Sequence, residues 1–114
     1  MIEKAITLAL AAVLLTASGA ALAERVYVKA RGEVDLAPFR CESYSRDPNV
    51  RRLCYDESEQ YALVSIRGIW YHYCDVPAST VSAWRRARAK GRYYNDHIRS
   101  GFECTGASMP MYDK

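Results

Sequence analysis

Residues 1–23 decide how much of this chain is left to fold. Met1-Ile2-Glu3-Lys4 is a short, weakly basic start, an apolar run extends from Ala5 to Ala17, and Ala21-Leu22-Ala23 forms a small-x-small site ahead of Glu24. That order is the pattern of a secretory signal peptide, here with cleavage expected after Ala23. The apolar run has 13 residues, short of the about 20 that a membrane span needs. The mature chain is therefore expected to carry no transmembrane segment. No Cys follows the small residues, and no twin arginine precedes the run, so lipid attachment and folded-state export have no signal here. The expected location is the periplasm or the extracellular space.

Cleavage would leave residues 24–114, a 91-residue chain, enough for one small domain. A domain of that size buries only about 60–65% of its extended-chain surface, so its core alone gives little stability. Cys41, Cys54, Cys74 and Cys104 all lie in this part. Four cysteines in a small exported domain read as two disulfides. Each such closure contributes on the order of 3 kcal/mol.

Net charge is +3 and stays so after cleavage, because Glu3 and Lys4 leave together. That value is ordinary for solubility and does not by itself indicate nucleic acid. The distribution is more informative. Arg outnumbers Lys twelve to four, and Arg85, Arg86, Arg88, Lys90, Arg92 and Arg99 crowd a region with only Asp96 against them. Planar guanidinium groups at this density make a candidate anion- or partner-binding face. The alternative is a solvated helix face.

Residues 24–48 read as a lead-in, with alternation at Val26-Tyr27-Val28 and a short strand around Phe39-Arg40-Cys41. The loop Ser45-Arg46-Asp47-Pro48-Asn49 ends it. Val50 to Tyr55, Gln60 to Ile66 and Ile69 to Cys74 then read as three strands, with Arg67-Gly68 as a hairpin turn. A two-residue turn opposes Ile66 to Ile69, Val64 to Tyr71 and Ala62 to Tyr73, so these six share a face, expected to be the core face. Tyr61, Leu63, Ser65, Trp70, His72 and Cys74 take the other. Asp75-Val76-Pro77 opens a helix over Ala78 to Lys90, with Pro77, Val81, Trp84 and Ala87 as its apolar stripe and Gly91 as its stop. Ile98 to Cys104 should return along the core edge. Residues 105–114 are expected to be a flexible tail.

The ordered set Cys54-Tyr55-Asp56, Tyr61 to Ile66, Gly68, Tyr71-His72-Tyr73, Val76-Pro77, Ala87, Gly91-Arg92-Tyr93-Tyr94-Asn95 and Ile98-Arg99 resembles the KTSC domain. That short domain is named for the C-terminus of some lysyl-tRNA synthetases and also occurs alone in small bacterial proteins. The resemblance assigns residues 49–104 to the domain and marks Tyr71, Tyr73 and Asn95 as family-motif positions. It implies a domain of unknown function, with RNA binding suggested by the synthetase context. The export signal and the four cysteines depart from the cytosolic versions, and Ala89 stands where a small polar Ser is expected.

Other chemistries have weak support. Tyr71 and Tyr73 could stack nucleic-acid bases, but their shared face with Val64 and Ile66 places them in the core. His72, Cys74, His97 and Cys104 lack the close paired spacing of structural zinc sites, and a nucleophilic Cys needs a free thiolate. No carboxylate pair and no glycine-rich phosphate loop stand out. No catalytic residue, metal or cofactor is therefore expected. A meander places Cys54 and Cys74 on first and third strands, about 9–10 Å apart and too far to bridge. Two pairings remain: Cys41–Cys54 with Cys74–Cys104, or Cys41–Cys74 with Cys54–Cys104. The first is preferred because it tethers each weak flanking segment to its nearest strand.

The expected architecture is α+β: a three-stranded antiparallel meander on one helix, with a short return segment and two disulfides. The expected role is a non-enzymatic interaction module, using Arg85, Arg86, Arg88, Arg92 and Arg99 on an anionic envelope component or partner protein. The alternatives are a nucleic-acid-binding domain, disfavoured by export, and a thiol or metal protein.

Overall fold

A computed structural model describes residues 23–112. The expected signal peptide falls almost wholly outside the described residues, as do the last two residues of the tail. Six strands form one curled sheet: β1 (Arg25–Val28), β2 (Gly32–Asp35), β3 (Arg40–Ser43), β4 (Val50–Asp56), β5 (Tyr61–Ile66) and β6 (Ile69–Tyr73). Their spatial order is β2-β1-β6-β5-β4-β3. All pairings are antiparallel except β1 with β6, which meet in parallel at Val28 and Trp70. Two short helices follow, α1 (Ala78–Arg86) and α2 (Lys90–Tyr93), and a π-helical turn over Tyr94–Ile98 extends α2.

The central hairpin has the register expected from its turn, with Ile66 opposite Ile69, Val64 opposite Tyr71 and Ala62 opposite Tyr73. Arg67 and Gly68 both take positive φ, 54° and 85°. Two left-handed residues in a two-residue loop match the twist of the strands they join.

The three-strand meander is corrected to six strands, because the residues read as a lead-in are built into the sheet. β1 and β2 form a hairpin that docks on β6, and β3 pairs along β4. This curls the sheet over its second face, so that face is also a core. Val28, Val34 and Leu36 bury against Cys54, Tyr61, Leu63 and Cys74. β2 and β3 are the two rims, and residues 36–39 connect them directly. On the helix side Val64, Val76, Val81, Trp84, Tyr94 and Ile98 form the first core, with Ile66, Tyr71 and Phe102 packed against it.

The single helix ending at Gly91 is also corrected. Ala87 and Ala89 are extended, with ψ of 138° and 91°. Local propensity favours a continuous helix through this Ala- and Arg-rich stretch, but the buried Trp84 overrides it. Its indole N–H donates to the Lys90 carbonyl at 3.2 Å, and its ring stacks on Tyr94 and Tyr93. Folding the chain back after Arg86 supplies that acceptor and those rings, and Gly91 ends inside α2.

The disulfides join Cys41 to Cys54 and Cys74 to Cys104. In the described part of the tail Tyr112 donates to the buried Asp56 at 2.7 Å and packs on Phe39 and Tyr61.

Buried phenols make this fold sensitive to alkali. Burial raises the pKa of Tyr73, Tyr112, Tyr61 and Tyr55, and hydrogen bonds to Tyr94 and to Asp56 raise the first two further. The unfolded phenols titrate near 10, so above that pH the folded chain holds more protons than the unfolded one. Stability is therefore complete below about pH 10 and falls as pH rises beyond it. Urea midpoints taken from about pH 8 to about pH 11 should be flat and then drop, in step with phenolate absorption. A flat profile throughout would contradict the buried assignments.

Candidate functional site

A cleft of about 500 Å³ opens between the tip of the β5–β6 hairpin and the flank of α2. The hairpin contributes Ile66, Arg67, Ile69 and Tyr71, the β3–β4 loop gives Asn49, and α2 with its π-helical turn gives Gly91, Tyr94, Asn95 and Arg99. The π-helical turn closes with Arg99 N–H on the Tyr94 carbonyl, and both Asn95 and Arg99 border the cleft. Such wide turns recur at functional sites.

Asn49 is the hub. Asp47 Oδ1 accepts from the Asn49 and Val50 backbone amides and fixes the loop. The Asn49 carbonyl accepts from the Arg67 amide at 3.3 Å, and Asn49 Oδ1 accepts from Arg67 Nε and Nη2 at 3.3 and 3.1 Å. The guanidinium is thus held in a set direction on a residue of positive φ, where a side chain is normally disfavoured. Gly91 allows this approach: a Cβ there would sit 3.0 Å from Asn49 Nδ2. Gly91→Ala sets a helix-propensity gain of up to about 1 kcal/mol against displacement of Asn49. The expected result is a nearly unchanged melting temperature with shifted Asn49 and Arg67 side-chain NMR signals. Unchanged signals with a full propensity gain would show that Asn49 yields freely.

Charge in the cleft is one-signed. Arg67 and Arg99 border it, and among the described residues no carboxylate lines it. Lys29 Nζ stands 5.7 Å from the centroid of the Tyr71 ring. Tyr73 is buried and hydrogen-bonded to the Tyr94 hydroxyl, whereas Tyr71 is half-buried and reaches the cleft. The expectation that both tyrosines are hidden therefore applies to Tyr73 only.

The arginines grouped by sequence are dispersed by the break between α1 and α2. Arg85 is mostly covered, donating to the Arg40 carbonyl at 2.8 Å with Glu42 at 3.9 Å. Arg86 is exposed and bonds Ser82. Arg88 borders a shallow depression with Lys90 and Arg46, and Arg92 is exposed on α2. Of the five, Arg99 alone lines the cleft, where Arg67 joins it. Arg67 and Asn49 were not legible as site residues, because turn geometry and not spacing brings them there.

Residues 47–102 match the family model of the KTSC domain. This segment is a KTSC domain. No curated protein matches the chain. Within the matched segment, Tyr71, Gly91, Tyr94, Asn95 and Arg99 come from two separate stretches of sequence and converge on this one cleft. Tyr73 is joined to the lining through its hydroxyl bond to Tyr94. Cys74 and Cys104 are bonded to each other, and no free cysteine remains. Among the described residues no group of three metal-capable side chains gathers. His72 shares a 2.7 Å hydrogen bond through Nδ1 with the Tyr61 hydroxyl, which accepts from Arg31.

Proposed function

We propose that this protein is a non-enzymatic binding module that works outside the cytoplasm and holds an anionic partner other than nucleic acid in the KTSC cleft. The observation that carries the reading is the one-signed charge of a cleft lined by residues of the matched segment: Arg67 and Arg99 border it, and among the described residues no carboxylate does. Charge-assisted hydrogen bonds from guanidinium groups are strong and geometrically selective. The absence of catalysis rests on side chains already engaged, with every cysteine in a disulfide and His72 held by Tyr61. The extracytoplasmic setting is supported by two disulfides, which persist where thiols are not kept reduced, and by the leader-like residues 1–23. No described helix is long and apolar enough to cross a membrane.

The test is an NMR titration of the oxidised protein with acetate, benzoate and inorganic phosphate at fixed ionic strength. Saturable shifts centred on Gly91, Asn95 and Arg99 are expected. The double substitution Arg67→Gln with Arg99→Gln should abolish them, and the triple substitution of Arg85, Arg86 and Arg92 should not. Shifts confined to the exposed Arg86, Arg88 and Arg92 surface would overturn the cleft as the site. Single-stranded RNA binding that weakens steeply with salt would overturn the partner class.

A further inference from the structure

The cleft's shape and donor set say more about its ligand, on the reading that the cleft is the binding site. We propose that it takes a carboxylate attached to an apolar group, as at the C-terminus of a peptide ending in an aliphatic or aromatic residue.

Three observations converge on this. The first is donor geometry. Arg67 spends Nε and Nη2 on Asn49 Oδ1, whereas the exposed Arg99 makes no side-chain hydrogen bond among the described residues and stands as the open fork at the rim. One planar fork matches one carboxylate in a bidentate pair. A phosphate dianion is usually met by several backbone amides at a helix start; here Gly91 alone of the lining lies in the first turn of α2, while Asn95 and Arg99 belong to the π-helical turn and its end.

The second is the apolar wall. Ile69 is 46% exposed, one of few large apolar side chains so placed, and it lies beside Ile66 and Tyr71 in the same cleft. An anion without an apolar part would leave that wall wet. A cleft of about 500 Å³ has room for an end residue and part of the next, within the ordinary range of ligand sites.

The third disfavours a flat base as the apolar part. One side of the Tyr71 ring is in contact with the core, and Lys29 stands over the ring. A nucleobase stacking on Tyr71 would have to displace that ammonium. A side chain resting on Ile69 leaves that ammonium in place and puts its carboxylate in the cleft that Arg67 and Arg99 border.

The experiment is a titration of the oxidised protein with an N-acetylated peptide ending in Leu, its C-terminal amide, and adenosine monophosphate, read at the Asn95 side-chain amide and the Ile69 methyls. The free acid should saturate, and amidation should weaken binding by about tenfold or more, the loss of a charge-assisted pair. Arg99→Gln should do the same, while Arg88→Gln leaves binding unchanged. Ile69→Ser should weaken the Leu-ended peptide more than a Gly-ended one. Equal binding of acid and amide overturns the carboxylate. Tighter binding of the nucleotide at the same residues overturns the ligand class and leaves the cleft as the site. Silence from every probe, with benzoate also silent, overturns both readings.

Discussion

A fragment limited to residues 47–102, the segment that matches the KTSC family, is expected not to fold. It contains α1, α2 and the three central strands, yet it lacks the cover of their second face. Val28, Val34, Leu36, Cys41, Cys104 and Tyr112 all fall outside it, and these pack on Cys54, Tyr61, Leu63 and Cys74. At about 1.5–3 kcal/mol per large apolar side chain, losing the burial of Val28, Val34, Leu36 and Leu63 alone removes some 6–12 kcal/mol. That is comparable to the whole stability of a small domain, about 5–15 kcal/mol. Both disulfides also lose a partner. Circular dichroism of the fragment should show no cooperative melt, and its NMR spectrum should be poorly dispersed, whereas the full chain gives both. A cooperative melt for 47–102 would mean the second core is dispensable.

Removing the two disulfides is expected to have unequal effects, with Cys74–Cys104 the more costly. The loops closed span 30 and 13 residues, for which chain-entropy arithmetic gives about 3.5 and about 3 kcal/mol. The surroundings widen that gap. Cys41 and Cys54 oppose each other within a β3–β4 ladder of four registered pairs, so β3 stays docked without the bond. Cys104 lies in the return segment, whose backbone tie to the sheet end is the Cys74 amide on the Phe102 carbonyl. Cys74→Ala with Cys104→Ala should therefore release the tail, expose Tyr112 and lower the denaturation midpoint more than Cys41→Ala with Cys54→Ala. The reverse ranking would show that β3, and not the tail, is the weaker attachment.

The hairpin was legible because Arg67-Gly68 separates two runs whose β-forming residues pair in only one register. The number of strands was not. β1 and β2 have four residues each, so the alternation at Val26-Tyr27-Val28 is too short to mark a hairpin, and Ala30 takes φ 70° two residues before Gly32 at φ 111°, a left-handed position held by a residue that does not signal a turn. The second core was hidden for a related reason. Tyr61, Leu63 and Trp70 are as apolar as the residues opposite, so a strand buried on both faces looks like one with a preferred face. The helix was read too long because Trp84's need for an acceptor is tertiary and leaves no mark on propensity. For the site, the motif pointed to Tyr71 and Asn95. It could not point to Arg67, whose orientation depends on Asn49, nor separate Arg99 from arginines that α1 and the break carry elsewhere.

The rims of the sheet constrain how any partner approaches. β2 and β3 are its two ends, each four residues long, and they carry Glu33, Asp35, Arg40 and Glu42. A foreign strand seeking unpaired amides meets a short, charged margin at either end. Recruitment by strand addition is thereby discouraged, and so is polymerisation of the protein with itself. Crowded together at high concentration, copies of this chain should not join edge to edge, and recognition falls to side chains and not to backbone.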